Sequence, residues 1–125
     1  MPRADFDPSG SLSILGYDYA VLLATDDDEM DGYDGLHRSK RLEIIVRARL
    51  KDDAKRETLL HEILHAIDEA FDAEMSETQV LRLSRGLYAV CRENRDYFLR
   101  LLFPEAAARL AALPGVPVAA PTDDR

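Results

Sequence analysis

The first half of the chain carries the alternation of apolar and polar residues that is typical of β-strands. Residues 12–24 are rich in aliphatic and aromatic side chains and are interrupted by Gly16, which predicts one or two strands with a turn or bulge at the glycine. The clearest strand lies within residues 41–48. Its two faces alternate as Leu42, Ile44 and Val46 against Glu43, Ile45 and Arg47. The acidic stretch 25–35 between these segments predicts a solvated hairpin loop.

After residue 50 the spacing of the apolar residues changes to the helical period. A helix is predicted to begin near Asp52 or Asp53, either of which can cap it, and to end within residues 71–76. Its apolar residues recur every three or four positions and form one stripe on the helix surface. The members of this stripe are Leu60, Ile63, Leu64, Ile67 and Phe71.

A second helix is predicted to start at Ser76. Ser76 and Gln79 have the spacing of a capping box, in which each side chain bonds the main chain of the other residue. The apolar pattern carries this helix to about Glu93 or Asn94. Its predicted buried stripe consists of Val80, Leu83, Leu87, Val90 and Cys91.

The order of the predicted elements, with strands first and helices afterwards, is that of an α+β protein. Residues 96–103 predict a shorter helix, and a further short helix follows Pro104. Three prolines from Pro114 onwards predict a disordered tail. We therefore expect a flexible segment at 1–10, one domain at 11–103, and a short helix with a disordered proline-rich tail at 104–125.

The composition excludes several classes of protein. The chain has 125 residues, 46% of them apolar, which suits a single domain with a small core. Its formal net charge of -8 argues against nucleic acid and anionic membranes as partners, because both attract clustered Lys and Arg. The single cysteine excludes an intrachain disulfide, and the sequence shows neither a signal peptide nor the roughly 20 apolar residues of a membrane span. The expected location is therefore the cytoplasm.

Candidate chemistry is concentrated in "HEILH", residues 61–65, which uses two of the three histidines of the chain. On a helix, His61 and His65 project from the same side one turn apart, so that both can reach one zinc ion. Glu62 is rotated by about 100° from His61 and can stand beside the metal, where it could deprotonate a bound water. The neighbouring residues on both sides are uncharged, as a buried metal helix requires. The alternative is an ordinary amphipathic helix with two incidental histidines.

A catalytic zinc ion usually takes three protein ligands and one water, so a third ligand has to come from outside the motif. The candidate carboxylates are those of Asp68, Glu69, Asp72, Glu74 and Glu77. Glu77 is favoured because it is predicted to lie on the inward side of the second helix, where an unpaired carboxylate is costly. The competing interpretation of Glu77 is a helix-start carboxylate that the helix dipole stabilises.

Several other polar residues have more than one interpretation. Asp68 and Glu69 could accept a hydrogen bond from a ligand histidine, or they could be solvated helix charges. His37 could reach the site from the strand region, although a structural histidine in a strand is the simpler interpretation. The candidate donors to a developing oxyanion are Tyr33, His37, Tyr88 and Tyr97. Cys91 is most simply a small core residue.

The segment "TLLHEILHAI" resembles the extended signature of the zincin metallopeptidases, in which apolar and uncharged residues flank His-Glu-x-x-His. Further along, "SETQVLRLSRGL" resembles the glutamate helix of the gluzincins. Residues 12–94 as a whole resemble the compact minigluzincin-like proteins, which phages and prophages often encode. This resemblance implies a minimal zincin-like fold with a short antiparallel sheet, an active-site helix and a glutamate helix.

The same resemblance implies roles for individual residues. It makes His61, His65 and Glu77 the zinc ligands, and it makes Glu62 the general base and acid. It also makes "RLEIIVRA" the edge strand that holds an extended peptide by main-chain pairing. The expected function is therefore that of a zinc-dependent metallopeptidase that acts on a peptide or protein.

Two other functions compete with this expectation. The first is a metal-binding or regulatory interaction module built on a zincin-like fold with weak or absent catalysis. The second is a zinc hydrolase of the deformylase type. Deformylases use a cysteine ligand upstream of the His-Glu-x-x-His helix, whereas Cys91 lies downstream of it, so this function ranks lower.

Overall fold

The computed structural model describes residues 5–115, with the side chains of all of these except Asp27 and Asp28. Within this range the order of strands followed by helices confirms the α+β class. The strands are β1 (Gly10–Ile14), β2 (Tyr17–Ala24), β3 (Gly35–Arg38) and β4 (Glu43–Arg47). The α-helices are α1 (Asp52–Phe71), α2 (Glu77–Glu93), α3 (Arg95–Leu102) and α4 (Pro104–Ala111). Short 3-10 helices cover Asp27–Met30 and Ser39–Arg41.

The sheet is mixed, so the prediction of an antiparallel sheet is wrong. Its strand order is β1-β2-β4-β3, with antiparallel pairs β1/β2 and β3/β4 and a parallel pair β2/β4. After β2 the chain crosses to the far edge of the sheet and forms β3 there. It then returns as β4, which lies between β2 and β3. The strand β3 was not predicted separately, and its presence is what makes β4 run parallel to β2.

This strand order also corrects the predicted edge strand. The segment "RLEIIVRA" contains β4, which lies between β2 and β3 and has neighbours on both sides. A strand with two neighbours has no free main-chain groups with which to pair a peptide. The edge strand next to β4 is β3.

The two faces of β4 contribute to two hydrophobic clusters, as the alternation of its side chains predicted. Ile44 and Val46 are fully buried in the larger cluster, together with residues of β1, β2 and α1. The core of that cluster consists of Ile14, Tyr19, Val21, Ile44, Val46 and Ala66. Ile45, on the opposite face, belongs to a smaller cluster with Ala24 and Met30. Helix α1 therefore covers one face of the sheet, and Met30 covers part of the other face, on which Leu22 is 40% exposed.

The acidic stretch 25–35 is not the solvated hairpin loop that was predicted. It joins β2 to β3, which are not neighbours in the sheet. It also contains a 3-10 helix whose last residue, Met30, is 0% exposed in the smaller cluster. One methionine among acidic residues anchors this connection to the sheet, a contact that the charge pattern of the segment does not indicate.

Helix α1 has the predicted extent but not the predicted cap. It begins at Asp52, and Lys51 occupies the capping position without a side-chain hydrogen bond. The carboxylate of Asp52 instead accepts a hydrogen bond from the main-chain nitrogen of Phe6, at 3.0 Å. Leu64 is buried, and Ile63 and Ile67 pack partly buried against the larger cluster. Phe71 is 69% exposed, so it does not belong to the buried stripe.

Helix α2 begins with the predicted capping box. The main-chain nitrogen of Ser76 donates to Gln79 Oε1 at 2.8 Å, and that of Gln79 donates to Ser76 Oγ at 3.1 Å. The predicted buried stripe is mostly wrong, because only Val80 is fully buried. Leu83, Leu87 and Val90 are exposed, and Cys91 is half-buried.

The chain divides within α2 into two compact units, residues 1–86 and 87–125. The first contains the sheet, α1 and the beginning of α2, and the second contains the predicted short helices, observed as α3 and α4. No helix among residues 5–115 is long and apolar enough to cross a membrane. Most of the predicted proline-rich tail lies outside the described residues, and the boundaries at 10/11 and 103/104 stay predictions.

The buried Met30 gives the first testable prediction. Met30→Ala should lower the free energy of unfolding by roughly 2 to 4 kcal/mol, because it removes a fully buried side chain from a small cluster. Urea unfolding would measure this change. Leu83→Ala, at a side chain that is 48% exposed, is the control and should change stability by less than about 0.5 kcal/mol. Equal effects of the two substitutions would show that Met30 does not anchor the connection.

Candidate metal centre

One face of α1 lines a pocket of about 610 Å³. The residues of α1 in the pocket follow helical spacing, and they are Ala54, Glu57, Thr58, His61, Glu62 and His65. Helix α2 contributes Glu77, Leu81, Ser84 and Arg85, and the edge strand β3 with the two residues before it contributes residues 33–37. All of these residues belong to the first compact unit. Helix α1, the start of α2 and the edge strand β3 therefore line the same pocket.

His61, His65 and Glu77 come together at one point of this pocket. The Nε2 atom of His61 lies 2.7 Å from Glu77 Oε1, and the Nε2 atom of His65 lies 2.8 Å from Glu77 Oε2. The two Nε2 atoms are 3.1 Å apart. Among the described residues, these three form the one group of His, Cys, Asp or Glu side chains whose ligand atoms lie close enough to share a metal ion.

A sharp turn between α1 and α2 brings Glu77 to the histidines. Asp72 ends α1 in the left-handed conformation, and Glu74 also has a positive φ of 57°. The side chain of Asp68 accepts a hydrogen bond from the main-chain nitrogen of Met75, at 3.0 Å, which holds the end of the turn against α1. Asp72 and Glu74 therefore shape the turn, and neither belongs to the group of side chains at the histidines.

The reason given for choosing Glu77 from the sequence was wrong, although its side chain does meet both histidines. Its side chain is 70% exposed, and it is the first residue of α2 rather than an inward-facing one. The competing interpretation as a helix-start carboxylate describes its position equally well. Its contact with His61 and His65 results from the short turn, not from burial.

Ser84 is a site residue that the sequence analysis did not identify. It is 3% exposed, and its hydroxyl donates a hydrogen bond to the main-chain oxygen of Leu81 at 3.0 Å. Its oxygen lies 3.4 Å from His61 Nδ1, so the hydroxyl can accept a hydrogen bond from Nδ1–H in the tautomer whose Nε2 carries the lone pair that a metal needs. The available signal was its spacing, since Ser84 lies seven residues after Glu77 and thus on the same helix face.

Glu62 lies in the same pocket but is 6% exposed. Burial raises the pKa of its carboxyl to about 7, and the negative charge of Glu77 adds to the effect. Within residues 5–115, the Glu62 carboxylate makes no hydrogen bond or ion pair. The residues His61, Glu62 and His65 therefore have two different environments: both histidines contact Glu77, and Glu62 is mostly buried beside them.

The backbone of Gly35 contributes to the burial of Glu62. A Cβ atom at this position would lie 2.5 Å from Thr58 Cγ2 and 3.0 Å from Glu62 Oε2. A side chain larger than hydrogen fits there only if the side chains of Thr58 and Glu62 move away. The edge strand can therefore approach α1 this closely only because its first residue is glycine.

His37 also lines the pocket, so it reaches the site from β3. Its Nε2 atom lies 3.1 Å from the hydroxyl of Tyr19 and 3.7 Å from Glu69 Oε2. Burial lowers the pKa of His37, and the nearby charge of Glu69 partly offsets this. Glu69 therefore interacts with His37 rather than with His61 or His65, and Asp68 is engaged with the turn.

The candidate oxyanion donors separate into two groups. Tyr33 and His37 line the pocket. Tyr88 and Tyr97 belong to the second compact unit. Of the four candidates, Tyr33 and His37 therefore line the same pocket as His61 and His65.

The donor set is suited to zinc. Ligand atoms on one tetrahedral zinc ion, each about 2.0 to 2.1 Å from the metal, lie about 3.3 Å apart. The contacts of 2.7 and 2.8 Å involve different oxygens of Glu77, and together with the 3.1 Å between the two Nε2 atoms they are shorter than this by about 0.2 to 0.6 Å. Rotation of the side chains would have to separate these atoms before one ion could bind. Two imidazole nitrogens and one carboxylate also leave a fourth position for water.

Comparison with protein family models, with curated proteins and with solved structures found no match.

The raised pKa of Glu62 predicts an unusual pH dependence of stability in the metal-free protein. Its pKa is 4.5 in an unfolded chain and about 7 in the fold, so the folded chain binds this proton more tightly. The contribution of Glu62 to stability therefore falls as the pH rises from 4.5 through 7, by on the order of 3 kcal/mol. Glu62→Gln removes this titration, and its free energy of unfolding should decline less over that interval.

Urea unfolding in the presence of a chelator, at pH 5 and at pH 8, would measure the difference. Glu57→Gln, an exposed carboxylate in the same helix and pocket, is the matched control and should keep the wild-type pH dependence. An unchanged pH dependence in Glu62→Gln would contradict the raised pKa.

The close approach at Gly35 gives a further prediction. Gly35→Ala should lower the free energy of unfolding by about 1 to 3 kcal/mol, because the added methyl overlaps Thr58 and crowds Glu62. Thr58→Ser removes the nearer of the contacting atoms, so the double variant should recover part of the loss. Thermal unfolding of the four proteins would measure this coupling, and strictly additive effects would contradict it.

Proposed function

We propose that this protein is a zinc-dependent metallopeptidase that hydrolyses peptide bonds in a peptide or protein substrate. The observation that carries the proposal is the meeting of three donor side chains next to a buried carboxylate. His61, His65 and Glu77 approach one another within 3.1 Å, and Glu62 lies in the same pocket. A hydrolytic zinc site requires three protein ligands for the metal and a separate base that does not bind it.

In this proposal His61, His65 and Glu77 hold the metal. When bound, zinc supplies a Lewis acid that lowers the pKa of coordinated water and polarises a carbonyl group. Ser84 keeps His61 in the tautomer whose Nε2 carries a lone pair, through its contact with Nδ1. The turn held by Asp68 positions Glu77.

Glu62 acts as the proton carrier. It takes a proton from the attacking water and passes it to the amine nitrogen as the carbon–nitrogen bond breaks. Its burial supports this role, because a carboxyl with a pKa of about 7 exchanges protons readily at neutral pH. The close approach of Gly35 contributes to this burial.

The substrate is proposed to bind along β3 as an extended chain. This strand pairs on one side with β4 and has no second neighbour among the described residues. An edge strand offers main-chain groups to which an extended peptide can add as a further strand. Residues 35–37 of β3 line the pocket that contains the histidines. A chain paired with β3 would therefore pass the candidate zinc ligands.

Zinc content and peptide cleavage, measured on the same variants, test this proposal. We expect about one zinc ion per chain in the wild type, unchanged zinc with loss of cleavage in Glu62→Gln, and loss of zinc in Glu77→Ala. Elemental analysis gives the zinc content, and mass spectrometry of a synthetic peptide library gives the cleavage. Thr78→Ala, at the exposed neighbour of Glu77 that does not line the pocket, is the control and should keep both properties.

The outcomes distinguish the proposal from its alternatives. A wild type that neither contains zinc nor takes it up would exclude a metal site at these residues. Zinc that depends on Glu77, without cleavage of any peptide, would favour the metal-binding interaction module. Full cleavage activity in Glu62→Gln would exclude Glu62 as the proton carrier.

A further inference from the structure

The charged side chains of the pocket are unequal in number. Asp34, Glu57, Glu62 and Glu77 contribute carboxyl groups. Among the described residues that line the pocket, Arg85 is the single Lys or Arg. Arg85 is exposed, and it makes no hydrogen bond or ion pair within residues 5–115. An unpaired guanidinium in a mainly acidic pocket is therefore available to a ligand.

The neighbouring carboxylates do not neutralise Arg85. Asp34 pairs with Arg47 at 3.4 Å, and Glu77 contacts both histidines. Glu62 is buried, and Glu57 lines the pocket without an ion pair to Arg85. The cation is thus not part of an internal network, although several carboxylates line the same pocket.

The direction of α2 fixes where Arg85 lies relative to the histidines. Both histidines contact Glu77 at the beginning of α2, and His61 also contacts Ser84, the residue before Arg85. Arg85 lies eight residues beyond Glu77, a rise of about 12 Å along the helix. An extended peptide advances about 3.3 Å per residue, so Arg85 can reach groups up to about four residues from the bond that is cut.

We propose that Arg85 is a specificity-determining residue that binds a carboxylate of the substrate close to the cleaved bond. This inference rests on the proposed function, since it concerns the substrate of the same site. A guanidinium binds a carboxylate through two parallel hydrogen bonds, which gives both affinity and orientation. The carboxylate belongs either to an Asp or Glu side chain or to the C-terminus of the peptide.

Reversal of the charge tests this inference. The zinc-loaded full-length protein is incubated with a synthetic random-sequence peptide library, and the cleavage sites are read by mass spectrometry. The wild type should favour Asp, Glu or a free C-terminus within about four residues of the cut. In Arg85→Glu, the enrichment of acidic groups near the cut should fall at least about ten-fold, and Lys or Arg should be favoured at the same positions.

The control is the same substitution one turn earlier in the helix. Arg82→Glu changes an exposed arginine of α2 that does not line the pocket, and it should keep the wild-type preference. Carboxylates found at internal positions would indicate side chains, and cuts at a fixed distance from the chain end would indicate the C-terminus. Cleavage without an acidic preference, or the same preference in Arg85→Glu, would overturn the role of Arg85 and leave the proposed function intact.

If no peptide is cut, a binding measurement tests whether Arg85 binds a carboxylate. Fluorescence anisotropy on Glu62→Gln would compare a labelled alanine peptide that ends in a free carboxylate with the same peptide as its amide, and with the amide carrying one Glu. Carboxylate-dependent binding that Arg85→Gln removes would support the role of Arg85 even if the proposed function fails. Equal binding of all three peptides would overturn it.

Discussion

The site depends on the reversal of the chain between α1 and α2. The chain ends one helix and begins the next within five residues, so the first residue of α2 comes back over the side chains of α1. Two left-handed residues and the hydrogen bond from Met75 to Asp68 make this reversal possible. Because the turn is this short, Glu77 at the start of α2 contacts both histidines, and Ser84 contacts His61. A longer loop would leave the start of α2 less constrained relative to the motif.

A second constraint acts from the sheet on the other side of the pocket. Gly35 begins the edge strand, and its missing side chain lets the strand lie directly against Glu62 and Thr58. The same contact contributes to the burial of the Glu62 side chain, and this burial raises the pKa of its carboxyl. The position of β3 in turn depends on the connection that Met30 anchors beneath the sheet. The burial of the Glu62 carboxyl therefore depends partly on the packing of Met30.

Local patterns predicted the elements well because their causes are local. The capping box at Ser76 and Gln79 and the alternation in β4 depend on neighbouring residues in the chain, and both are present as predicted. The buried stripe of α2 was predicted from apolar spacing alone, and most of it is exposed. Spacing shows which residues share a helix face, but burial requires another element to cover that face.

The sequence by itself determined the α+β order, the extent of α1 and α2, and the side-by-side arrangement of His61 and His65. Only the tertiary structure decided that the sheet is mixed, that β3 is its edge next to β4, and that Glu77 rather than Asp72 or Glu74 meets the histidines. It also brought Ser84, Gly35 and Arg85 into the pocket. The physical reason is that helix and strand periods are set by neighbours in the chain, whereas strand order, burial and contacts across a turn are set by packing between segments distant in sequence.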